Sequence, residues 1–175
     1  MDFYEVIRTR RSVRKFKTDA VPDEVLNRVL DAARIAQSGH NWQPWRYIVI
    51  RDRERMKEMI PICGGWSFIV EAPVLVVACG TNLNVNRGGY MGDLSMLIDV
   101  SISFDHLTLA ARAEGLGTCW IGSFNNDGVK EYLNIPDDVQ VVAMTPMGYP
   151  AEEDAFSERT NRKGLDEIVS YERYE

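Results

Sequence analysis

Residues 93–114 read DLSMLIDVSISFDHLTLAARAE and form the longest helical pattern of the chain, with Gly115 directly after it. At a rise of about 1.5 Å per residue, the pattern predicts one helix roughly 33 Å long, about the diameter of a domain. Gly115 is typical of the left-handed residue that ends a helix. The apolar positions wrap around this helix and do not form one stripe: Leu94, Leu97, Ile98, Ile102, Leu107, Leu109 and Ala110. We therefore expect a helix buried on several sides, in a core or against a partner chain.

Shorter helical and extended patterns lie on both sides of this helix. Apolar spacing and turn residues predict helices over residues 3–9, 22–37, 54–60 and 128–133. Apolar runs rich in β-branched residues predict strands over residues 46–50, 74–78, 118–121 and 139–147. An irregular acidic tail follows Pro150. Helices mixed with antiparallel or mixed strands predict the α+β class, and a length of 175 residues predicts a single domain over 1–175.

The composition is that of an acidic globular protein. The chain has 20 Lys and Arg against 26 Asp and Glu, a net charge of −6, and its 45% hydrophobic residues argue against disorder. The longest apolar run, residues 72–79, is far shorter than the ~20 residues of a spanning helix, so we predict no membrane span. The first residues lack the basic and apolar regions of an export signal.

Cysteine and histidine are too few and too scattered for most metal sites or catalytic triads. Cys63, Cys79 and Cys119 form no CxxC pair, which argues against a disulfide framework and a zinc site. We therefore expect no metal, and a reducing compartment, the cytoplasm. His40 and His106 are the two histidines of the chain, so few imidazoles are available for catalysis by side chains. If the chain is an enzyme, we expect it to take its chemistry from a cofactor.

A basic segment stands out near the start of this acidic chain. Six cations with no carboxylate among them surround Ser12: Arg8, Arg10, Arg11, Arg14, Lys15 and Lys17. Arginine suits phosphate because its planar guanidinium donates two parallel hydrogen bonds. The segment is either a solvated surface or a site for the phosphate of a small cofactor. Nucleic acid is disfavoured, because the rest of the chain is acidic and lacks a basic face.

A second segment, residues 38–45, reads SGHNWQPW between a predicted helix and a predicted strand. Asn41 and Gln43 offer amide donors and acceptors, and Trp42 and Trp45 offer flat apolar surface. Together these groups suit a planar heterocycle with alternating donors and acceptors. The alternative is a polar turn whose tryptophans pack into the core.

Four motifs in one order resemble the nitroreductase family of FMN-dependent oxidoreductases. They are RRSVRKF at 10–16, SGHNWQPW at 38–45, GLGTCWIG at 115–122 and RKGLDEIV at 162–169. The resemblance implies a three-layer α+β fold, with a central mixed, mostly antiparallel sheet flanked by helices. It also implies an obligate homodimer that holds FMN in the groove between its subunits, with helix 93–114 packed against its counterpart.

The resemblance assigns roles to the residues of these motifs. Arg10 and Ser12 are expected to bind the FMN phosphate, with Arg11 adding charge or backbone contacts. Arg162 is expected to complete the phosphate site, whereas Thr160 stands where the family often has another basic residue. Arg14 matches a basic residue beside the pyrimidine edge of the flavin, where a cation stabilises the negative charge of the reduced ring at N1 and O2.

Two further groups are expected around the flavin ring. The second subunit is expected to contribute Gln37, Ser38, Gly39 and Asn41. Ile121 and Gly122 are expected to offer backbone N–H groups to the N5 and O4 side. Segment 81–91, with Arg87 and Tyr90, is either a surface connection or a loop that lines the substrate side.

The reaction implied is a ping-pong transfer of hydride from NADH or NADPH through flavin N5 to a nitroaromatic, quinone or similar small acceptor. The protein binds, orients and tunes the cofactor, and it needs no side-chain nucleophile for hydride transfer. Relatives with other reactions leave reductive dehalogenation and enoyl-type reduction open. The longer lid with a Glu-Tyr-Lys set that would favour a dehalogenase is not seen in the sequence. A flavin-binding or sensing dimer without turnover is the alternative from another class.

Overall fold

The computed structural model describes residues 1–81, 90–158 and 161–174. Its helices are α1 (Phe3–Thr9), α2 (Asp23–Arg34), α3 (Arg53–Met59), α4 (Tyr90–Ala113) and α5 (Asn126–Leu133). Its strands are β1 (Trp45–Ile50), β2 (Val74–Thr81), β3 (Gly117–Thr118) and β4 (Val139–Gly148). Short 3₁₀ turns lie at Gly39–Asn41, Ser67–Val70 and Leu165–Glu167. The predicted α+β class is confirmed.

The four strands form one antiparallel sheet in the order β1-β2-β4-β3. Parallel pairing is present at an isolated bridge between Ser12 and Thr118, beside β3. The central strand β2 is buried on both faces, as its continuous apolar run predicts. Leu75, Val77 and Cys79 pack with α3 and α5 on one face, while Val74 and Val76 pack with α2 and α4 on the other. The sheet therefore lies between two helical layers.

Helix α4 is the core helix that its sequence pattern predicts. By length and mean hydropathy, 1.3, Leu94–Ala113 is apolar enough to cross a membrane, but half of this window is buried within the fold. The helix lies against β2 at Gly80, where a Cβ atom would come within 2.7 Å of Val100. Gly115 follows with a φ of +78°, which confirms the left-handed residue at its end.

Helix α2 and strand β3 are shorter than predicted. Helix α2 ends at Arg34, before the predicted end at 37, because the backbone leaves the helical region at Ile35 (ψ 1°) and the N–H of Ala36 donates to Ala33 only three residues back. Strand β3 is shorter than the predicted 118–121, because the N–H of Cys119 donates to the side-chain oxygen of Thr145 at 2.9 Å. The ladder resumes at Ile121, which forms an isolated bridge with Met144.

Candidate functional site

The basic segment runs along the β3 edge of the sheet. The N–H of Val13 donates to the carbonyl of Thr118 at 2.9 Å, and that of Lys17 donates to the carbonyl of Tyr149 at 2.8 Å. Val13 and Phe16 are buried, whereas Arg14 between them is exposed. Val13 and Phe16 pack with Ala72 inside the fold, while the guanidinium of Arg14 remains at the surface. The segment is a structured edge of the sheet and not a free surface loop.

Gly117 allows this pairing because it brings two backbones close together. A Cβ atom at Gly117 would lie 2.7–2.8 Å from three side-chain carbons of Val13. Contacts that short do not occur between ordinary side chains, so the approach of the basic segment to β3 requires glycine here. The second glycine of the motif at 115–122 therefore positions Ser12 beside Thr118.

Three predicted site residues act on the buried thiol of Cys119. Burial raises the pKa of this thiol, while the positive charges of Arg14 and Arg10 and a side-chain hydrogen bond with Ser12 act in the opposite direction. Cys119 is only 2% exposed. The structure thus places Ser12 and Arg14 beside Cys119, and the positive charge of Arg10 also acts on this thiol.

Arg11 and Lys15 make local contacts in the same segment. One guanidinium nitrogen of Arg11 donates to the carbonyl oxygens of Arg8 at 2.9 Å and Arg10 at 2.7 Å, just after the end of α1. A cation there stabilises the negative end of the helix dipole. The ammonium of Lys15 pairs with Glu152 at 2.9 Å, so this cation is matched by the acidic tail.

A buried arginine fixes the start of the basic segment. Nε of Arg112, on α4, donates to the hydroxyl of Thr9 at 3.0 Å, and its guanidinium carbon lies 4.0 Å from the ring centre of Phe156. Burial lowers the pKa of Arg112. Thr9 is the last residue of α1, so this contact anchors the chain immediately before Arg10.

A cleft of about 90 Å³ opens beside Arg14. Its walls come from the basic segment, from Trp66 and Phe68 ahead of β2, and from residues 119–123. The N–H of Ile121 donates to the carbonyl of Met144 at 2.8 Å, so this donor is used in the sheet. The part of Ile121 in the flavin site stays a prediction, and this hydrogen bond leaves its N–H less available to a ligand. Gly122 follows on the exposed side of the cleft.

The segment at residues 38–43 is a strained turn. His40, Asn41 and Gln43 have φ values of 49°, 57° and 50°, a region that residues other than glycine rarely adopt. The hydroxyl of Ser38 accepts the N–H of Gln43 at 2.9 Å, and the buried carboxylate of Asp99 accepts the N–H of Gly39 at 3.2 Å. Backbone strain of this kind clusters at functional sites, where the surrounding contacts maintain it.

The remaining predicted residues that the structure describes do not line the cleft beside Arg14. Gln37 and Asn41 are exposed at the turn, and Arg162 is exposed in a tail that bonds locally, with the N–H of Gly164 donating to Glu167 at 2.8 Å. Trp45 packs into the core, as the alternative interpretation of its segment predicts, while Trp42 stays 40% exposed. Thr160 and residues 82–89 lie outside the described residues, as does the side chain of Tyr90.

The model of the nitroreductase family matches residues 7–89 and 63–149, which together span most of the chain. The chain belongs to the nitroreductase family. Among solved structures, the nitroreductase family protein of Clostridium difficile 630 is 34% identical and superposes with a TM-score of 0.84. That similarity covers 99% of this chain and 100% of the other.

Relatives of this nitroreductase family protein have different activities. The FMN reductase [NAD(P)H] of Bacillus subtilis is 28% identical, over 95% of this chain and 74% of its own length. The iodotyrosine deiodinase of Nematostella vectensis is 27% identical, over 96% of this chain and 74% of its own length. The family is therefore one of oxidoreductases that differ in what they reduce.

Several residues of the candidate site were not predicted from the sequence. Cys119 lies within a recognised motif, but only the fold shows that Ser12, Arg10 and Arg14 act on its thiol. Trp66 follows two glycines with φ values of +67° and +78°, a signal for a tight turn that was available in the sequence. Asp99 is one acidic residue in a long helical pattern, and nothing in the sequence links it to Gly39.

Metal and thiol chemistry find little support in the part of this family member that the structure describes. Within the described ranges, no group of three His, Cys, Asp or Glu side chains is arranged to hold a metal ion. The three cysteines are buried free thiols, and burial raises the pKa of Cys63 and of Cys79 to about 11. These two thiols are therefore protonated at neutral pH and suited to packing.

Proposed function

We propose that this protein is an FMN-dependent oxidoreductase that transfers electrons from NADH or NADPH to a nitroaromatic, quinone or similar small acceptor. The proposal includes a homodimer with FMN at the subunit interface, formed by one domain over residues 1–175. It also includes a cytoplasmic location, which the three free thiols support. The observation that carries the proposal is the pairing of the basic segment with β3, which places Ser12 beside Thr118 and Arg14 at the cleft with Cys119.

The chemistry of this segment suits the phosphate and one ring edge of FMN. Arg10 and Ser12 supply a cation and a hydroxyl for phosphate oxygens, and Arg162 from the tail is proposed to complete the set. The fixed cation of Arg14 is proposed to face the pyrimidine edge, which becomes negative on reduction. When bound, FMN supplies hydride transfer at N5. The side chains therefore need to bind the cofactor, orient it and tune its electronic properties. Gly122 lets the ring approach the backbone closely.

The strained turn is proposed to form the opposite wall of the site, from the second subunit. Ser38, Gly39 and Asn41 belong to this turn, and Gln37 precedes it. Large apolar side chains remain exposed on this chain, among them Phe3 at 65%, Ile35 at 63% and Leu97 at 41%. Exposed apolar residues on α1, after α2 and on α4 support an interface with a second copy.

The test is reconstitution followed by anaerobic reduction. Purified protein is incubated with FMN, and its mass and bound flavin are measured by size-exclusion chromatography with light scattering. NADH or NADPH is then added without oxygen, and bleaching of the flavin band is followed before each acceptor is supplied. We expect a dimer with one FMN per subunit that is reduced by a nicotinamide and reoxidised by nitroaromatics or quinones. Colourless protein that stays monomeric with excess FMN would overturn the proposal.

Reductive dehalogenation is the second candidate, because a deiodinase is among the relatives that cover almost the whole chain. The same reduced protein is offered an iodinated phenol, and release of iodide is measured. Iodide release faster than reoxidation by nitroaromatics would favour this reaction. Protein that binds FMN but is reduced by neither nicotinamide would favour the non-catalytic, flavin-sensing alternative.

A further inference from the structure

Arg112, in the last turn of α4, is a buried cation. It is 7% exposed, and the ion pairs of the described residues do not include it. Burial lowers the pKa of its guanidinium, while the negative charge of Glu5 on α1 acts in the opposite direction. Moving a charged group out of water costs free energy unless other contacts offset the loss. The contacts of this guanidinium therefore indicate its role.

The first contact lies at the point where the basic segment begins. Nε of Arg112 donates to the hydroxyl of Thr9 at 3.0 Å, and that hydroxyl donates in turn to the carbonyl of Glu5 at 2.6 Å. The hydroxyl of Thr9 thus has both a donor and an acceptor as partners, which holds it in one orientation. Thr9 ends α1, and Arg10 directly after it has extended backbone, with φ −61° and ψ 129°. The contact therefore holds the chain where it turns out of the helix.

The second contact reaches the other end of the same segment. The guanidinium carbon of Arg112 lies 4.0 Å from the ring centre of Phe156, a distance at which a cation is attracted to an aromatic face. Phe156 packs against the cluster formed by Val13, Phe16 and Ala72. Arg112 thus touches the side chain that covers the apolar residues of the basic segment.

Arginine suits this place because its guanidinium is planar. Its Nε–H donates within the plane while its flat face lies on a ring. One side chain therefore links both ends of the segment that holds Arg10 and Ser12. Groups that bind a ligand keep their geometry only where neighbouring contacts fix them, so the support of Arg112 is expected to be felt at the ligand.

We propose that Arg112 is a positioning residue for the phosphate of FMN, and that it acts through Thr9 to hold Arg10 where its guanidinium meets that phosphate. The inference rests on the proposed function and deepens it, because it adds a residue outside the four motifs. Arg112 itself makes no contact with the cofactor. Its loss weakens the binding of the phosphate and leaves the binding of the flavin ring unchanged.

The test compares Arg112→Met with Arg112→Gln, two side chains of similar length. Glutamine carries an N–H donor at the same number of bonds from Cα as Nε of arginine, so it can still donate to Thr9, whereas methionine cannot. Fluorescence titrations measure the Kd of FMN and the Kd of riboflavin, which has the same ring but no phosphate.

The expected results separate a positioning role from a general structural one. In Arg112→Met, we expect the Kd of FMN to rise about tenfold and the Kd of riboflavin to stay within about twofold of wild type. In Arg112→Gln, we expect the Kd of FMN to rise only about threefold, because the contact with Thr9 remains while that with Phe156 is lost. Equal increases for FMN and riboflavin would overturn the inference, as would equal increases in the two variants.

A double-mutant cycle tests whether Arg112 acts through Thr9. Thr9→Val keeps the shape of the side chain and removes the hydroxyl, so we expect the Kd of FMN to rise about tenfold here too. With Arg112→Met added, the increase is expected to stay about tenfold, because both changes remove the same hydrogen bond. A combined increase of about 100-fold would overturn the inference, because it would give Arg112 an effect on the phosphate that does not depend on Thr9.

Arg28→Met is the matched control. Arg28 on α2 donates to both carboxylate oxygens of Glu114, at 2.9 and 2.8 Å, and so contacts the chain just after the end of α4. Because this exposed ion pair does not involve the basic segment, we expect the Kd of FMN to stay within about twofold of wild type. A loss as large as that of Arg112→Met would assign the effect to a general loosening of this end of α4, and the inference would fail.

The two proposals fail in distinguishable ways. If the wild-type protein binds FMN no more tightly than riboflavin, the proposed phosphate site is wrong, whatever Arg112 does. If the wild-type protein prefers FMN and the Arg112 variants keep that preference, the proposed function stands and only the inference is lost.

Discussion

The basic segment at residues 10–17 and the turn at residues 38–43 are held in place by opposite means. The first is paired by backbone hydrogen bonds with Thr118 of β3 and with Tyr149, and it packs against Gly117. The second has left-handed backbone at three residues that are not glycine, maintained by hydrogen bonds to Ser38 and Asp99. Sheet pairing and close packing thus fix the basic segment, whereas side-chain contacts offset the strain in the turn.

This difference determines what a mutation does to each segment. The basic segment is part of the sheet edge, so a change in its packing lowers global stability and also moves its arginine and lysine side chains. The turn is a short exposed segment outside the sheet, so relief of its strain raises stability while its function is lost.

Arg10→Glu is expected to cause the largest change. A guanidinium that pairs with phosphate contributes about 1.5–3 kcal/mol, and a carboxylate in its place repels the anion, so FMN affinity falls about 100-fold or more. The measurement is titration of FMN fluorescence with the purified variant. Lys15→Glu is the matched control in the same segment, because Lys15 is exposed and pairs with Glu152. Full FMN loading of Arg10→Glu would contradict the proposed phosphate site.

Gly117→Ala tests whether close packing holds the basic segment in place. Its Cβ would lie 2.7–2.8 Å from carbons of Val13, and overpacking of this kind costs about 1–3 kcal/mol. Urea denaturation measures the loss in unfolding free energy. Adding Val13→Ala is expected to recover part of the lost unfolding free energy, and a double-mutant cycle measures that recovery. Gly122→Ala is the control, because its Cβ would be 3.7 Å from the nearest atom, and equal losses would refute the packing argument.

Arg14→Ala is expected to keep the fold, to weaken FMN binding about tenfold and to lower the flavin potential. The exposed guanidinium makes no contact that the core needs, but its charge favours the reduced and more negative flavin. A loss of about 1.4 kcal/mol for the reduced state corresponds to about 30 mV in a two-electron couple. Potentiometric titration of the bound flavin measures the shift. Arg14→Lys keeps the charge and is expected to keep most of the potential, so an equal shift in both variants would count against an electrostatic role.

Sequence patterns predicted the fold well where periodicity is strong. The long helix, its terminal glycine and the buried strand β2 lie close to their predicted positions because many residues contribute to each pattern. The end of β3 was wrong because it depends on one side chain, Thr145, that accepts the N–H of Cys119. A contact of this kind between distant residues leaves no periodic signal in the sequence.

The site was predictable to a smaller extent. Residue type and family motif were enough to single out Arg10, Ser12 and Arg14, and the structure places Ser12 and Arg14 beside Cys119, with the charge of Arg10 acting on the same thiol. The N–H of Ile121 was assigned to a ligand, and its pairing with Met144 was not predicted, because sequence does not reveal which donors a ladder consumes. Asp99 was not predicted at all, since its role depends on where α4 passes the turn.

His40→Gly is expected to produce the smallest change, and in the opposite direction from Gly117→Ala. His40 has φ 49° and ψ 20°, a conformation that costs a non-glycine residue about 1–2 kcal/mol. Glycine removes this strain but loses more conformational entropy on folding, which costs about 0.5–1 kcal/mol. The net gain in unfolding free energy is therefore about 0.5 kcal/mol, measured by urea denaturation. Ala32→Gly, within α2, is the control and is expected to lose about 1 kcal/mol. Equal destabilisation by both glycines would mean that the turn stores no strain, and the contrast between the two segments would disappear.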